Sequence, residues 1–82
     1  MTGCAGVGMP PADIRQSLGN AVRELRTEHR LTQEALAELA QVHPHYISDI
    51  ERGKRNVAIV NLTHIAGALD LKASALLARA GL

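Results

Sequence analysis

Three observations predict an all-α fold, a compact five-helix bundle that contains a helix-turn-helix. Apolar residues recur at three- and four-residue intervals from Ile14 to Ala80. Phe and Trp are absent and there is one Tyr, so the core must be Leu, Ile, Val and Ala packed between closely approaching helices. The stretch from Leu31 to Asn56 reads as helix, tight turn, helix and basic loop, the arrangement that puts side chains into a DNA major groove. At 82 residues the chain is one domain, and a domain of this size buries only a little over ~60% of its unfolded surface. Its stability should be modest, and a dimer contact would help it.

Residues 1–11 mix Gly, Thr, Ala and two prolines without periodicity and read as a leader, with the folded domain over 12–82. From Asp13 to about His29, Ile14, Leu18, Val22 and Leu25 form the apolar stripe of helix one, opposite Arg15, Arg23, Glu24, Arg26 and Glu28. Gly19 inside it costs ~1 kcal/mol of helix propensity, marking either a close contact or a weak turn. Helix two covers Gln33 to Ala40, with Thr32 as its N-cap, Glu34 at its positive end and Leu36, Leu39 and Ala40 as its apolar face. Pro44 suits the first position of helix three, Pro44 to Arg52, where a missing N–H costs nothing. Ile47 and Ile50 face inward there, Val42 plugs the turn, and Gly53 ends the helix. Ile59, Leu62, Ile65, Ala66 and Leu69 define helix four; Ala73, Leu76, Leu77 and Ala80, closed by Gly81, define helix five.

A lone Cys4 allows no internal disulfide, and no signal peptide or ~18-residue apolar span is present, so a cytoplasmic protein with no membrane association is expected. A net charge of +1 falls short of what bulk electrostatic attraction to nucleic acid requires, so any DNA footprint must come from charge distribution. His43 and His45 invite a metal reading, but two residues apart at a helix start they point in different directions and nothing completes a ligand set. No nucleophile with a base, phosphate loop or acid pair appears. The chain is expected to be no enzyme and to use no cofactor.

The words Arg-Glu-Leu-Arg (23–26), Leu-Thr-Gln-Glu-Ala-Leu-Ala (31–37), Tyr-Ile-Ser-Asp-Ile-Glu-Arg-Gly (46–53), Arg-Asn (55–56) and Leu-Thr-His-Ile-Ala-Gly-Ala-Leu (62–69) resemble the Cro/C1-type helix-turn-helix regulators. The likeness covers nearly everything after Leu18. It implies a lambda-repressor-like DNA-binding domain, and within that group the chain looks like the small controller proteins of restriction-modification systems. Two departures stand out. Gln41 occupies the turn where the family usually has Gly, and His43 replaces the usual small polar cap, with Pro44 at a position that often reads a base and can here offer only apolar contact.

The resemblance implies that Gln33, next to the N-cap Thr32, grips phosphate from a helix N-terminus; a solvated polar residue is the alternative. His45, Ser48 and Asp49 are base-edge candidates, and Asp49 can instead repel phosphate or pair with a neighbouring Arg. Tyr46 either meets a phosphate or a kinked base step, or packs against helix two. Arg52, Lys54 and Arg55 are expected beside the DNA backbone, and Arg55 with Asn56 can also reach base edges or the minor groove; an ordinary solvated surface is the alternative. Arg26 and Glu51 correspond to a partly buried ion pair of the family and are structural.

One such domain covers a few base pairs, so a homodimer on a two-fold symmetric operator is expected, joined through helices four and five by Val60, Thr63, Leu71, Leu76 and Leu77. Partners would be double-stranded DNA and a second copy, with RNA polymerase as a further candidate for a repressor or activator of transcription. The competing reading is an antitoxin or bridging protein that uses the same scaffold to bind a polypeptide. Near-zero net charge favours it slightly; the joint presence of Gln33, Arg52, Lys54 and Arg55 opposes it.

Overall fold

The structure, a computed structural model, describes residues 9–82; the predicted leader therefore lies outside the described residues as far as residue 8. Five helices follow in order: α1 (Pro11–Glu28), α2 (Gln33–Ala40), α3 (Pro44–Glu51), α4 (Ile59–Ala68) and α5 (Ala73–Arg79). The fold is all-α, as the sequence predicts. Helix α1 begins at Pro11, inside the predicted leader, because Pro fits the first helical position. His29 and Arg52 serve as C-caps rather than helical residues.

Helix α1 packs on α3 and α5, α2 on α3 and α4, and α4 on α5, so the chain closes around one core. Leu18, Val22 and Leu25 of α1 meet Leu36, Ala37 and Ala40 of α2, Ile47 and Ile50 of α3, Leu62, Ile65, Ala66 and Leu69, and Leu76 of α5. Small side chains at 21, 37, 40 and 66 let the helices approach closely around a core with no Phe or Trp. At Gly19 the α3 backbone comes so near that an added Cβ would stand 2.2 Å from the Ile50 carbonyl oxygen. Gly19 is thus a close-contact residue.

Four apolar residues depart from the predicted pattern. Leu39 is 58% exposed, because Leu36, Ala37 and Ala40 centre the buried arc of α2 and leave position 39 about 100° to one side. Ile14 and Ile59 lie in the first turns of α1 and α4 and are exposed, the core beginning only at Leu18 and Leu62. Leu76, predicted at a dimer interface, is fully buried: α5 packs on both α1 and α4, and Leu76 fills the seam. Arg79 pins the far end of α5 to α1 through Glu24 and Glu28.

A single device ends every helix. Arg30, Gln41, Gly53, Asp70 and Gly81 have positive φ. The residue after each donates its N–H back five positions, from Leu31 to Arg26, Val42 to Ala37, Lys54 to Asp49, Leu71 to Ala66 and Leu82 to Leu77, at 2.8–3.0 Å. These are Schellman closures, and Leu31, Val42 and Leu71 press their side chains against the core as they make them. Gln41 thus holds the left-handed conformation (φ 60°, ψ 43°) that the family assigns to Gly, which costs a residue with a Cβ about 1 kcal/mol or more.

Replacing Gln41 with Gly should relieve that strain and, net of the added unfolded-state freedom, stabilise the fold by about 0.5–1 kcal/mol, read as a higher urea midpoint. Gly19→Ala should have the opposite effect, costing about 2–3 kcal/mol in the same measurement as α1 and α3 are forced apart.

Candidate nucleic-acid interface

The interface is assembled around a buried carboxylate. Glu51, the last residue of α3, is 6% exposed, a position an acidic side chain occupies only when paired. Arg26 of α1 meets it as a fork, Nε to Oε2 at 2.6 Å and Nη2 to Oε1 at 3.1 Å, and sends Nη1 to the Leu31 carbonyl at 2.8 Å. Gln33 donates from Nε2 to Glu51 Oε1 at 3.1 Å. The ion pair inferred from the resemblance is therefore present and has acquired a third member. Because the Gln33 amide carries two hydrogens, one bond to Glu51 leaves the second free at the N-terminus of α2. Thr32 Oγ1 caps that end by accepting from the Ala35 N–H at 3.0 Å.

His43 stands in for a smaller cap. Its Nδ1 accepts from the His45 N–H at 3.0 Å, which leaves the ring proton on Nε2 when the imidazole is neutral. With the cap satisfied, Pro44 occupies the first position of α3 and His45 projects outward, its side chain 70% exposed. Ser48 is half-buried on the same helix.

Asp49 is the most committed of the predicted base-edge residues. Its carboxylate, 15% exposed, accepts from Arg55 Nε at 3.2 Å and has His45 Nε2 at 3.8 Å on its other oxygen. Of the readings open from sequence, pairing with a neighbouring Arg is the one the geometry displays. Arg55 also lies over the Tyr46 ring, 5.4 Å from its centroid, a cation–π distance. Tyr46 is half-buried against the core, and its hydroxyl accepts from Asn61 Nδ2 of α4 at 3.2 Å. Val42, His43, His45, Tyr46, Arg55 and Asn61 line an open depression of about 480 Å³ beside the start of α3. Arg52, Lys54 and Asn56 are exposed.

Sequence reasoning missed two members. Arg15 donates from Nη1 to Asn56 Oδ1 at 3.2 Å across 41 residues, and Asn61 reaches Tyr46 across 15. Neither belongs to a local motif, so no spacing signal pointed to them. Of the predicted dimer residues, Val60 and Thr63 are exposed, Leu71 and Leu77 are half-buried against the core, and Leu76 is withdrawn into it.

A helix presented by a second helix and backed by a basic loop defines a helix-turn-helix DNA-binding protein. Residues 22–76 match the HTH_3 helix-turn-helix family, and the chain belongs to that family of transcriptional regulators. It is 41% identical over 70 residues to control protein C.SmaI of Serratia marcescens, across 85% of this chain and 83% of the relative. It is 42% identical over 66 residues to control protein C.BamHI of Bacillus amyloliquefaciens, across 79% and 82% of the two chains. The crystal structure of the restriction-modification controller protein C.AhdI from Aeromonas hydrophila superposes with a TM-score of 0.74 at 42% identity, covering 76% of this chain and 94% of that one. No helix among the described residues is long and apolar enough to cross a membrane.

Removing one partner of the buried pair should be severe: Arg26→Ala, which leaves Glu51 charged without its cation, is expected to cost about 3–5 kcal/mol in chemical denaturation. Asp49→Ala should change stability by less than about 1 kcal/mol, since Arg55 is half exposed, yet broaden the set of sequences retained in a duplex-binding assay. An unchanged preferred sequence would remove Asp49 from readout.

Proposed function

We propose that this protein is a restriction-modification controller, a homodimer that recognises a two-fold symmetric operator and regulates transcription by occupying it. The observation that carries this reading is the joint presence of the Glu51–Gln33 bond at the N-terminus of α2 and the Arg52, Lys54, Arg55 loop after α3, in a chain over 40% identical to named control proteins across most of both lengths. A polypeptide-binding antitoxin would have no use for a polar, oriented Gln33 next to three cations, so the alternative is not favoured.

In this reading Gln33, with the N–H groups at the start of α2, and the cations Arg52 and Lys54 hold phosphates and set the register of α3. His45, Ser48 and Asp49 face base edges in the major groove, with Pro44 offering apolar contact to a thymine methyl. Tyr46 lies against the backbone, and Arg55 with Asn56 extends the contact beyond the helix. The dimer forms across α4 and α5 through Val60, Thr63, Leu71 and Leu77, placing two α3 helices about one DNA turn apart, ~34 Å. Bound near a promoter, such a dimer either blocks RNA polymerase or contacts it.

Selection from a random duplex library at near-physiological salt tests the proposal. A two-fold symmetric motif with half-sites one turn apart is expected, and retention of no preferred sequence would overturn it. Arg55→Ala should then weaken cognate and random duplexes alike and lower the salt slope by about one per protomer. Loss confined to the cognate duplex would instead make Arg55 a base reader.

A further inference from the structure

We infer that Asn61, on α4 and outside the helix-turn-helix, is a positioning residue for DNA binding: it orients the Tyr46 hydroxyl as a donor to a backbone phosphate. The inference rests on the proposed DNA-binding reading and adds to it a residue that no motif marks. A phenolic hydroxyl lies close to the plane of its ring and has two preferred orientations, one on each side of the C–O bond. Asn61 Nδ2 donates to the Tyr46 oxygen at 3.2 Å and so occupies one side as a hydrogen-bond donor. The proton of the hydroxyl must then point to the other. Asn61 is itself half-buried, and both residues line the open depression beside the start of α3, where the hydroxyl can meet an approaching strand.

The ring is fixed independently. It packs against the core on one side and carries the Arg55 guanidinium over its face, whose Nε is in turn held by Asp49. What remains free in Tyr46 is the rotation of the hydroxyl, and Asn61 removes it. Donation to phosphate is therefore prepared before the DNA arrives, and the amide bond to the oxygen strengthens that donation through cooperative polarisation. A neutral donor displaces no counterion, so this contribution is independent of salt, unlike that of the cations around it.

The test is a double-mutant cycle on the full chain, read by fluorescence anisotropy with the duplex recovered by selection, across a series of salt concentrations. Tyr46→Phe keeps the ring, its packing and the Arg55 contact while removing the hydroxyl; Asn61→Leu keeps the branched shape of the side chain while removing the donor. Tyr46→Phe is expected to weaken binding about threefold to tenfold per half-site, the range of one hydrogen bond, and Asn61→Leu about twofold to threefold, since it frees one of two orientations and removes the polarisation but leaves the hydroxyl in place. The double variant should be no weaker than Tyr46→Phe alone, and the salt slope should match that of the unaltered protein in all three. Urea unfolding of each variant establishes that it is folded, and Asn61→Ala replaces Asn61→Leu if the latter is not.

Additive losses would overturn the inference, since Asn61 would then act without the hydroxyl. So would full binding by Tyr46→Phe, or a lower salt slope in the Asn61 variant, which would mean that the loop carrying Arg55 had moved. If the unaltered protein retained no duplex, the DNA-binding reading itself would fail, a result distinct from any of these.

Discussion

The fold turns on the charge at Glu51. A carboxylate placed at the end of α3 and sealed from solvent requires a cation with fixed geometry, and Arg26 supplies one that bonds both carboxylate oxygens and the Leu31 carbonyl. Through those bonds α1 and the connection after it are referred to the end of α3, and the Gln33 amide on Glu51 ties the start of α2 to the same point. Hydrophobic contact holds the same helices together but sets their spacing only to the tolerance of side-chain packing; the forked bonds add direction. Helix α3 is thus clamped at its C-terminal end from behind, while His45 near its start stays exposed.

That clamp links stability to the binding surface. Gln33 belongs to both on the proposed reading: its amide bonds a buried group and keeps a second N–H at a helix N-terminus. A side chain in a salt-bridge network has few rotamers left, so the entropy of ordering it is lost on folding and not on binding. Arg55 shows the same economy, held between a carboxylate and an aromatic face although it sits on an exposed loop.

Much of this was legible in the sequence because it is written locally. Helices α2 and α3 have caps, turn and apolar faces within a few residues of one another, and there the reading erred by no more than a terminal residue, apart from Leu39, whose angle on the α2 face depends on which neighbours it has. Leu76 shows what local pattern lacks. An apolar residue on a short C-terminal helix looks the same whether it faces a partner or the seam between α1 and α4, and only the tertiary path decides. Gln41 shows a different limit: its identity argues against a left-handed turn, but the core contact of Val42 and the bond it makes to Ala37 outweigh the strain of about 1 kcal/mol. Asn61 and Arg15 were invisible because their partners lie 15 and 41 residues away and chemistry alone joins them.

The pairing of Arg55 with Asp49 gives the basic loop a resident anion. In the unbound protein a carboxylate sits where the guanidinium would otherwise seek the negative oxygens of a nucleic acid. On the proposed reading, engagement with DNA is an exchange of one anion for another, in which the loop is already folded and the cation already near its destination. Such an exchange gives up part of the attraction a bare cation would offer to any duplex, and gives up least where the released carboxylate finds a donor of its own, such as the exocyclic amine of a cytosine. A charge pair inside one protomer can in this way make indiscriminate electrostatic adhesion weaker and turn discrimination between sequences into a competition that the protein carries within itself.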